Sequence, residues 1–111
     1  MMIFRVEHNR RRLRMHVHVC EGRLERGLLL RRRPAPDTAY LLRNRRTVHT
    51  IGTHYPIDVL FCDAAGRIIR IETGLGPCRI ARERRARQVW EMCAGGAMHW
   101  GWRVGDEIQP C

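Results

Sequence analysis

A group of polar side chains near the middle of the chain is the first candidate for chemistry. Asp58 lies inside an otherwise apolar run, where a buried carboxylate needs hydrogen-bond or cation partners. Polar groups from the preceding segment and from a later apolar stretch would complete a site near residues 49–58 for a small ligand or a protein partner. The side chains predicted to bind there are His49, Thr53, His54, Asp58 and Glu91.

Asp58 has two further interpretations. Paired carboxylates beside a histidine can act as general acid and base, which would make the protein a small enzyme that uses Asp58 and Glu91. Alternatively, Asp58 is structural, and it caps the turn at residues 53–56 or pairs with an arginine. Because nothing in the spacing forces the two carboxylates together, we expect a non-catalytic domain and assign no catalytic residue.

The arginine content is the second candidate. All 21 basic residues are arginines, and the formal net charge is +10. Residues 1–55 contain 13 arginines and 4 acids, whereas residues 56–111 contain 8 arginines and 7 acids. This asymmetry indicates a basic surface facing an anionic partner, although GC-rich codon usage also favours arginine over lysine. The alternative function is non-sequence-specific nucleic-acid binding through Arg11, Arg12, Arg31, Arg32, Arg33, Arg45 and Arg46.

Other reactive constellations are weaker. His16, His18 and Cys20 share one face of a predicted strand, but metal sites usually take ligands from two elements, so we expect a solvated face and no metal. The glycines match no phosphate-binding loop, and the absence of lysine and serine excludes a Walker motif and a serine triad. Cys62 and Cys93 lie in apolar runs, which predicts inert core thiols. No cofactor is predicted.

Chain length and cysteine pattern limit the class of protein. A chain of 111 residues fits one domain whose core forms without disulfide bonds. The five cysteines are widely spaced, and the first residues lack the apolar core of a signal peptide. No apolar run reaches the roughly 20 residues that a membrane helix needs. We therefore expect a cytoplasmic protein with reduced thiols and no membrane span.

Hydrophobic periodicity predicts the elements that position these residues. Residues 13–20 alternate strictly between apolar and polar side chains, which is typical of a half-buried strand. Residues 22–33 carry leucines at helical spacing and end before two prolines, which predicts a short helix. The other predicted elements are a strand over residues 39–42, a turn near Gly52, a loop over 73–77, an element of ambiguous type over 80–92, a helical turn over 97–100 and a last strand over 107–109.

A β-hairpin over residues 57–72 is the clearest local feature. Two runs rich in β-branched residues flank a connector that begins with Asp63 and ends with Gly66. Aspartate caps a type I turn and glycine takes the left-handed position that follows it. The first run is apolar on both faces, which predicts a central and buried strand.

Several blocks of the chain together resemble one known family. In the central block, Thr53, Pro56, Asp58 and Phe61 match the family pattern, whereas Gly52 replaces an asparagine. The order and spacing of the blocks are similar to those of the domain of unknown function 192 family, a mostly prokaryotic β-rich domain. The resembling blocks lie at residues 27–31, 49–61, 89–95 and 105–106, within a resemblance that runs from about residue 13 to residue 109.

The resemblance implies a fold and no transferable activity. It implies a strand over residues 88–93. We predict a mainly β protein, a single compact β-sandwich or barrel-like domain with two short helices over residues 13–110, preceded by a basic N-terminal segment over residues 1–12. The predicted function is that of an uncharacterised cytoplasmic binding or accessory domain whose partner is a small molecule or a protein, with nucleic acid as the alternative.

Overall fold

Strands dominate the described part of the chain. The computed structural model describes residues 2–20 and 33–111. In chain order its elements are β1 (Met2–His8), β2 (Arg11–Cys20), β3 (Thr38–Arg43), β4 (Thr47–His49), β5 (Ile57–Cys62), β6 (Ile68–Leu75), β7 (Ile80–Arg82), β8 (Gln88–Cys93), α1 (Gly96–Trp100) and β9 (Ile108–Pro110).

Most strands belong to one curled sheet. Its strand order is β6-β5-β8-β3-β2-β1-β9, and β4 and β7 pair in a separate two-stranded sheet. All pairings are antiparallel except that of β2 with β3. The two outermost strands meet where Arg67 bridges Glu107 and where the N–H of Ile108 donates to the Gly66 carbonyl at 2.8 Å. The edges of the sheet therefore touch, which confirms the predicted mainly β fold and gives it the barrel-like shape.

Two separate apolar cores lie on the two faces of the sheet, and we call the one that contains Trp90 the inner core and the one that contains Phe61 the outer core. Side chains alternate along a strand, so Leu60 of β5 points into the inner core with Trp90, whereas Val59 and Phe61 point to the outer core. Val48 of β4 belongs to the outer core and is fully buried. The two-stranded sheet is thus anchored on the outer face.

The predicted hairpin is confirmed as β5 and β6. Asp63 Oδ1 accepts the N–H of Ala65 at 3.0 Å and that of Arg67 at 2.9 Å, which caps the turn. Gly66 has φ +87°, in the left-handed region that favours glycine. All six residues of β5 are buried between its neighbours β6 and β8.

Strands β1 and β4 are absent from the sequence predictions, and β7 lies within the element of ambiguous type over residues 80–92. Residues 2–8 lie in the segment set apart as basic, yet they pair with β2 and β9, because Val6 and Phe4 pack into the inner core. Strand β6 continues to Leu75, through the start of the predicted loop. The strand over residues 88–93 is confirmed as β8.

The predicted helices have different outcomes. The helical turn over residues 97–100 is confirmed as α1, which begins at Gly96. The helix predicted over residues 22–33 lies, except for Arg33, outside the described residues. Among the helices of residues 2–20 and 33–111, none has the length and apolar character needed to cross a membrane.

Candidate functional site

Asp58 joins three chain segments at one end of the inner core. Its side chain is 1% exposed. Oδ2 accepts the backbone N–H groups of Gly95 and Ala97, each at 3.0 Å, and Oδ1 accepts the N–H of Gly74 at 2.9 Å. The carboxylate therefore ties the start of α1 and the end of β6 to β5. This is a structural role, and its partners differ from the turn and the arginine considered in the sequence analysis.

Glu91 lies on the other face of the sheet from Asp58. In the β5–β8 pairing Asp58 is opposite Met92, whereas Glu91 is opposite Val59. Because side chains alternate between faces, Asp58 points towards the inner core and Glu91 points to the outer face. Glu91 lies near Tyr55, where burial and the charges of Tyr40 and Glu91 raise the pKa of the phenol. The two carboxylates are not brought together for acid–base chemistry.

The other predicted ligand residues are also dispersed. The hydroxyl of Thr53 is buried and donates to the Thr50 carbonyl at 2.6 Å, so it holds its own turn. His54 is exposed in the same loop. His49, at the end of β4, is half-buried and borders a cavity. Of the five predicted side chains, the structure therefore places His49 at a concave surface.

That cavity, which we call the arginine cavity, is an open concave site in the described part of the chain. Its volume is about 650 Å³, within the range of about 300–1,000 Å³ that is typical of small-ligand pockets. Three guanidinium groups, a histidine, a hydroxyl and a carboxamide supply polar groups. The lining residues are Asn44, Arg45, Arg46, Thr47, His49, Ala86 and Arg87.

Two turns that are distant in sequence build the arginine cavity. The first connects β3 to β4 over residues 44–46, and the second connects β7 to β8 over residues 83–87. The N–H of Asn44 donates to the Arg87 carbonyl at 2.7 Å, and the N–H of Glu83 donates to the Arg46 carbonyl at 2.9 Å. Asn44 has φ +57°, a conformation that asparagine tolerates well. These bonds hold Arg45, Arg46 and Arg87 side by side.

The electrostatics of the arginine cavity favour an anion. No acid lines it. Glu83 is the acid within the two turns, and its carboxylate lies 3.6 Å from Nε of Arg85. The backbone N–H of Arg85, together with the charges of Arg85 and Arg70, lowers the pKa of Glu83, so this carboxylate stays ionised next to Arg85. No described residue forms a hydrogen bond or ion pair with the guanidinium of Arg45 or Arg46.

The predicted arginines separate into different surfaces. Arg45 and Arg46 line the arginine cavity, while Arg11 and Arg12 are exposed at the start of β2. Strands β2 and β3 are parallel, and Cys20 pairs with Leu42. Arg43 therefore lies about nine residues further along the strands than Arg12, a distance of roughly 30 Å. Arg33 is exposed, and Arg31 and Arg32 lie outside the described residues.

Sequence reasoning missed Arg87, which belongs to the half of the chain that is nearly neutral. Arg84, Arg85 and Arg87 directly precede β8. The sequence does not specify that the predicted strands over residues 39–42 and 88–93 pair, and only their antiparallel pairing in the structure places the end of the first beside the start of the second. Arg43 is indeed opposite Gln88.

Among the described residues, thiols and metal-ligating side chains form no second site. Burial and the nearby Asp63 charge raise the pKa of Cys62 to about 12, so this thiol stays protonated in the core. Cys93 is half-buried. Across residues 2–20 and 33–111, no three His, Cys, Asp or Glu side chains come together as metal ligands would.

Comparisons with known proteins identify the family. The chain is similar over 98% of its length to 94% of a “putative transcription regulator” from Sinorhizobium meliloti 1021, with 25% identity and a TM-score of 0.83. It is also similar over 96% of its length to 84% of a protein of unknown function from Novosphingobium aromaticivorans DSM 12444, with 19% identity and a TM-score of 0.76. No curated protein matches it. The model of DUF192, described as an uncharacterized ACR, matches residues 2–110, and the chain therefore belongs to the DUF192 family.

Proposed function

We propose that this protein is a non-catalytic binding domain that holds a small phosphate-bearing anion in the arginine cavity. The observation that carries the proposal is the convergence of Arg45, Arg46 and Arg87 on one cavity that no described acid lines. Guanidinium groups bind phosphate oxygens in pairs, and such charge-assisted bonds are roughly twice as strong as neutral ones. The predicted ligand site accordingly moves from residues 49–58 to this cavity, and it keeps His49.

Thr47 and Asn44 suit the same ligand. A hydroxyl and a carboxamide both donate hydrogen bonds to oxyanions. Arg46 is exposed and Arg45 is half-buried, and neither guanidinium has a competing acid among the described residues, so an incoming anion displaces water rather than a protein carboxylate. The affinity of the site is therefore expected to fall as salt rises.

A calorimetric titration with inorganic pyrophosphate tests the proposal. The decisive variant is Arg46→Ala, and its matched control is Arg11→Ala, which removes the same charge from an exposed strand position outside the cavity. We expect Arg46→Ala to weaken pyrophosphate binding about tenfold, or about 1.4 kcal/mol, and Arg11→Ala to leave it within about twofold. Absence of binding to the wild-type protein, or equal weakening by both variants, would refute the cavity as the site.

Nucleic-acid binding at the same end of the molecule is the second candidate. Residues 43–47 and 83–88 together contain six arginines and one glutamate. The similar Sinorhizobium meliloti protein bears the description “putative transcription regulator”, which agrees with this candidate. A single strand that contacts four arginines there would give a salt slope of about −3 in log K against log salt. If Arg11→Ala and Arg46→Ala weaken oligonucleotide binding equally, the contacts are diffuse and this end of the molecule is not the interface.

A further inference from the structure

A second, smaller cavity adjoins the arginine cavity. Its volume is about 140 Å³, and it is lined by Arg43, Asn44, Ala64, Arg87 and Gln88. Asn44 and Arg87 line both cavities. A ligand whose charged group occupies the arginine cavity can therefore extend past these two side chains into the smaller one, which we call the amide cavity.

The amide cavity has a different chemistry from its neighbour. Gln88 adds a second carboxamide to that of Asn44 and Arg43 joins Arg87, whereas Thr47 and His49 are not among its described lining residues. Gln88 Nε2 donates to the Ala64 carbonyl at 3.3 Å, which orients the amide and leaves Oε1 as an acceptor. No acid among the described residues lines the amide cavity, so no described carboxylate there repels a phosphate-bearing ligand.

Carboxamides and guanidinium planes are the groups that proteins use to recognise bases. Asparagine and glutamine form paired hydrogen bonds with base edges, and unstacked bases lie flat against arginine. Both carboxamides line the amide cavity together with Arg43 and Arg87, and Arg87, whose Nη1 donates to the Ala86 carbonyl at 2.9 Å, also lines the arginine cavity. A ligand with a phosphate at one end and a base at the other matches this order of groups.

We propose that the ligand of this protein is a nucleoside phosphate, free or at the end of a nucleic-acid strand, with its phosphate in the arginine cavity and its base in the amide cavity. This inference rests on the proposed function, because the phosphate supplies the anchoring charge. The amide cavity adds the preference for a nucleotide over other phosphate esters.

The test compares nucleoside 5′-monophosphates, ribose 5-phosphate and inorganic pyrophosphate by calorimetry at one salt concentration. We expect at least one monophosphate to bind about tenfold more tightly than ribose 5-phosphate. Gln88→Ala should abolish that preference and leave pyrophosphate affinity unchanged. Gln109→Ala is the matched control, since Gln109 is exposed on β9 and hydrogen-bonds Glu7 instead. Asn44→Gly, which tolerates the positive φ, removes the amide that lines both cavities and should weaken nucleotides and pyrophosphate alike.

The outcomes separate the two proposals. If ribose 5-phosphate binds as tightly as every nucleotide and Arg46→Ala still weakens all of them, the nucleotide inference is wrong and anion binding stands. If pyrophosphate does not bind either, the proposed function fails as well. A 5′-phosphorylated oligonucleotide identifies the source of the ligand: tighter binding than the mononucleotide indicates a strand end, and equal binding indicates a free nucleotide.

Discussion

Replacement of Asp58 separates a structural carboxylate from a functional one. In Asp58→Asn the side chain keeps one carbonyl oxygen and gains an NH2 group. The retained oxygen can accept from Gly95 and Ala97, whereas the NH2 group then faces the N–H of Gly74, donor against donor. In Asp58→Ala all three N–H groups lose their acceptor.

The expected magnitudes follow from these bonds. A hydrogen bond to a charged group contributes about 1.5–3 kcal/mol, and a buried polar group without a partner costs about 1–3 kcal/mol. We expect a loss in unfolding free energy of about 2 kcal/mol for Asp58→Asn and at least about 4 kcal/mol for Asp58→Ala. Domains of this size are stable by about 5–15 kcal/mol, so Asp58→Asn should remain folded and Asp58→Ala should approach the unfolding limit.

Urea denaturation followed by tryptophan fluorescence measures both changes, because Trp90 and Trp102 are buried in the inner core and become exposed on unfolding. The control is Asp63→Asn in an exposed turn, where the retained carbonyl oxygen can still accept the N–H groups of Ala65 and Arg67, which both donate to Oδ1 in the wild type. We expect it to cost about 1 kcal/mol. Pyrophosphate affinity should be unchanged in Asp58→Asn, because Asp58 lies opposite Met92, whereas the other end of β5, at Cys62, lies opposite Gln88 beside the cavities.

Two results would contradict this reasoning. A stability of Asp58→Asn within about 0.5 kcal/mol of the wild type would mean that the three hydrogen bonds do not support the fold. A fully stable Asp58→Asn that no longer binds pyrophosphate would assign Asp58 to the ligand site instead.

Two further predictions concern the seam where the sheet closes. Gly66→Ala should lower the unfolding free energy by about 3 kcal/mol in urea denaturation, because φ at this position is +87° and a Cβ would lie 2.5 Å from the Ile108 carbonyl oxygen. The control Gly52→Ala has a similar φ of +90° but no atom within 4 Å of the new Cβ, and it should cost about 1 kcal/mol. Equal losses in the two variants would contradict the close approach at Gly66. Burial alone would raise the pKa of Asp106, but hydrogen bonds from His8, Asn9 and the Arg103 N–H outweigh burial, and the pKa is lowered. Since the folded pKa lies below the unfolded value of about 3.9, Asp106 stabilises the fold above that pH and loses its contribution as the pH falls through the folded pKa. Asp106→Asn should therefore flatten the loss of stability below about pH 4, and an unchanged acid dependence would disprove its role.

Local chemistry in the sequence is enough to predict the hairpin and the strand pattern. Asp63 and Gly66 specify their turn through hydrogen bonds and φ values that involve only neighbouring residues. The alternation of apolar and polar side chains over residues 13–20 likewise shows that one face of this strand is buried, and it can be read from the polarity of each residue alone. The mainly β class and the family resemblance depend on such local patterns.

The tertiary structure decided which polar residues meet. Asp58 and Glu91 both lie in apolar strands, and whether they share a face depends on the β5–β8 register, which local polarity does not encode. The same holds for Arg46 and Arg87, which the pairing of β3 with β8 and the bonded turns bring to one cavity. The physical reason is that charge and polarity are properties of single residues, whereas a binding site depends on distances set by contacts between remote strands.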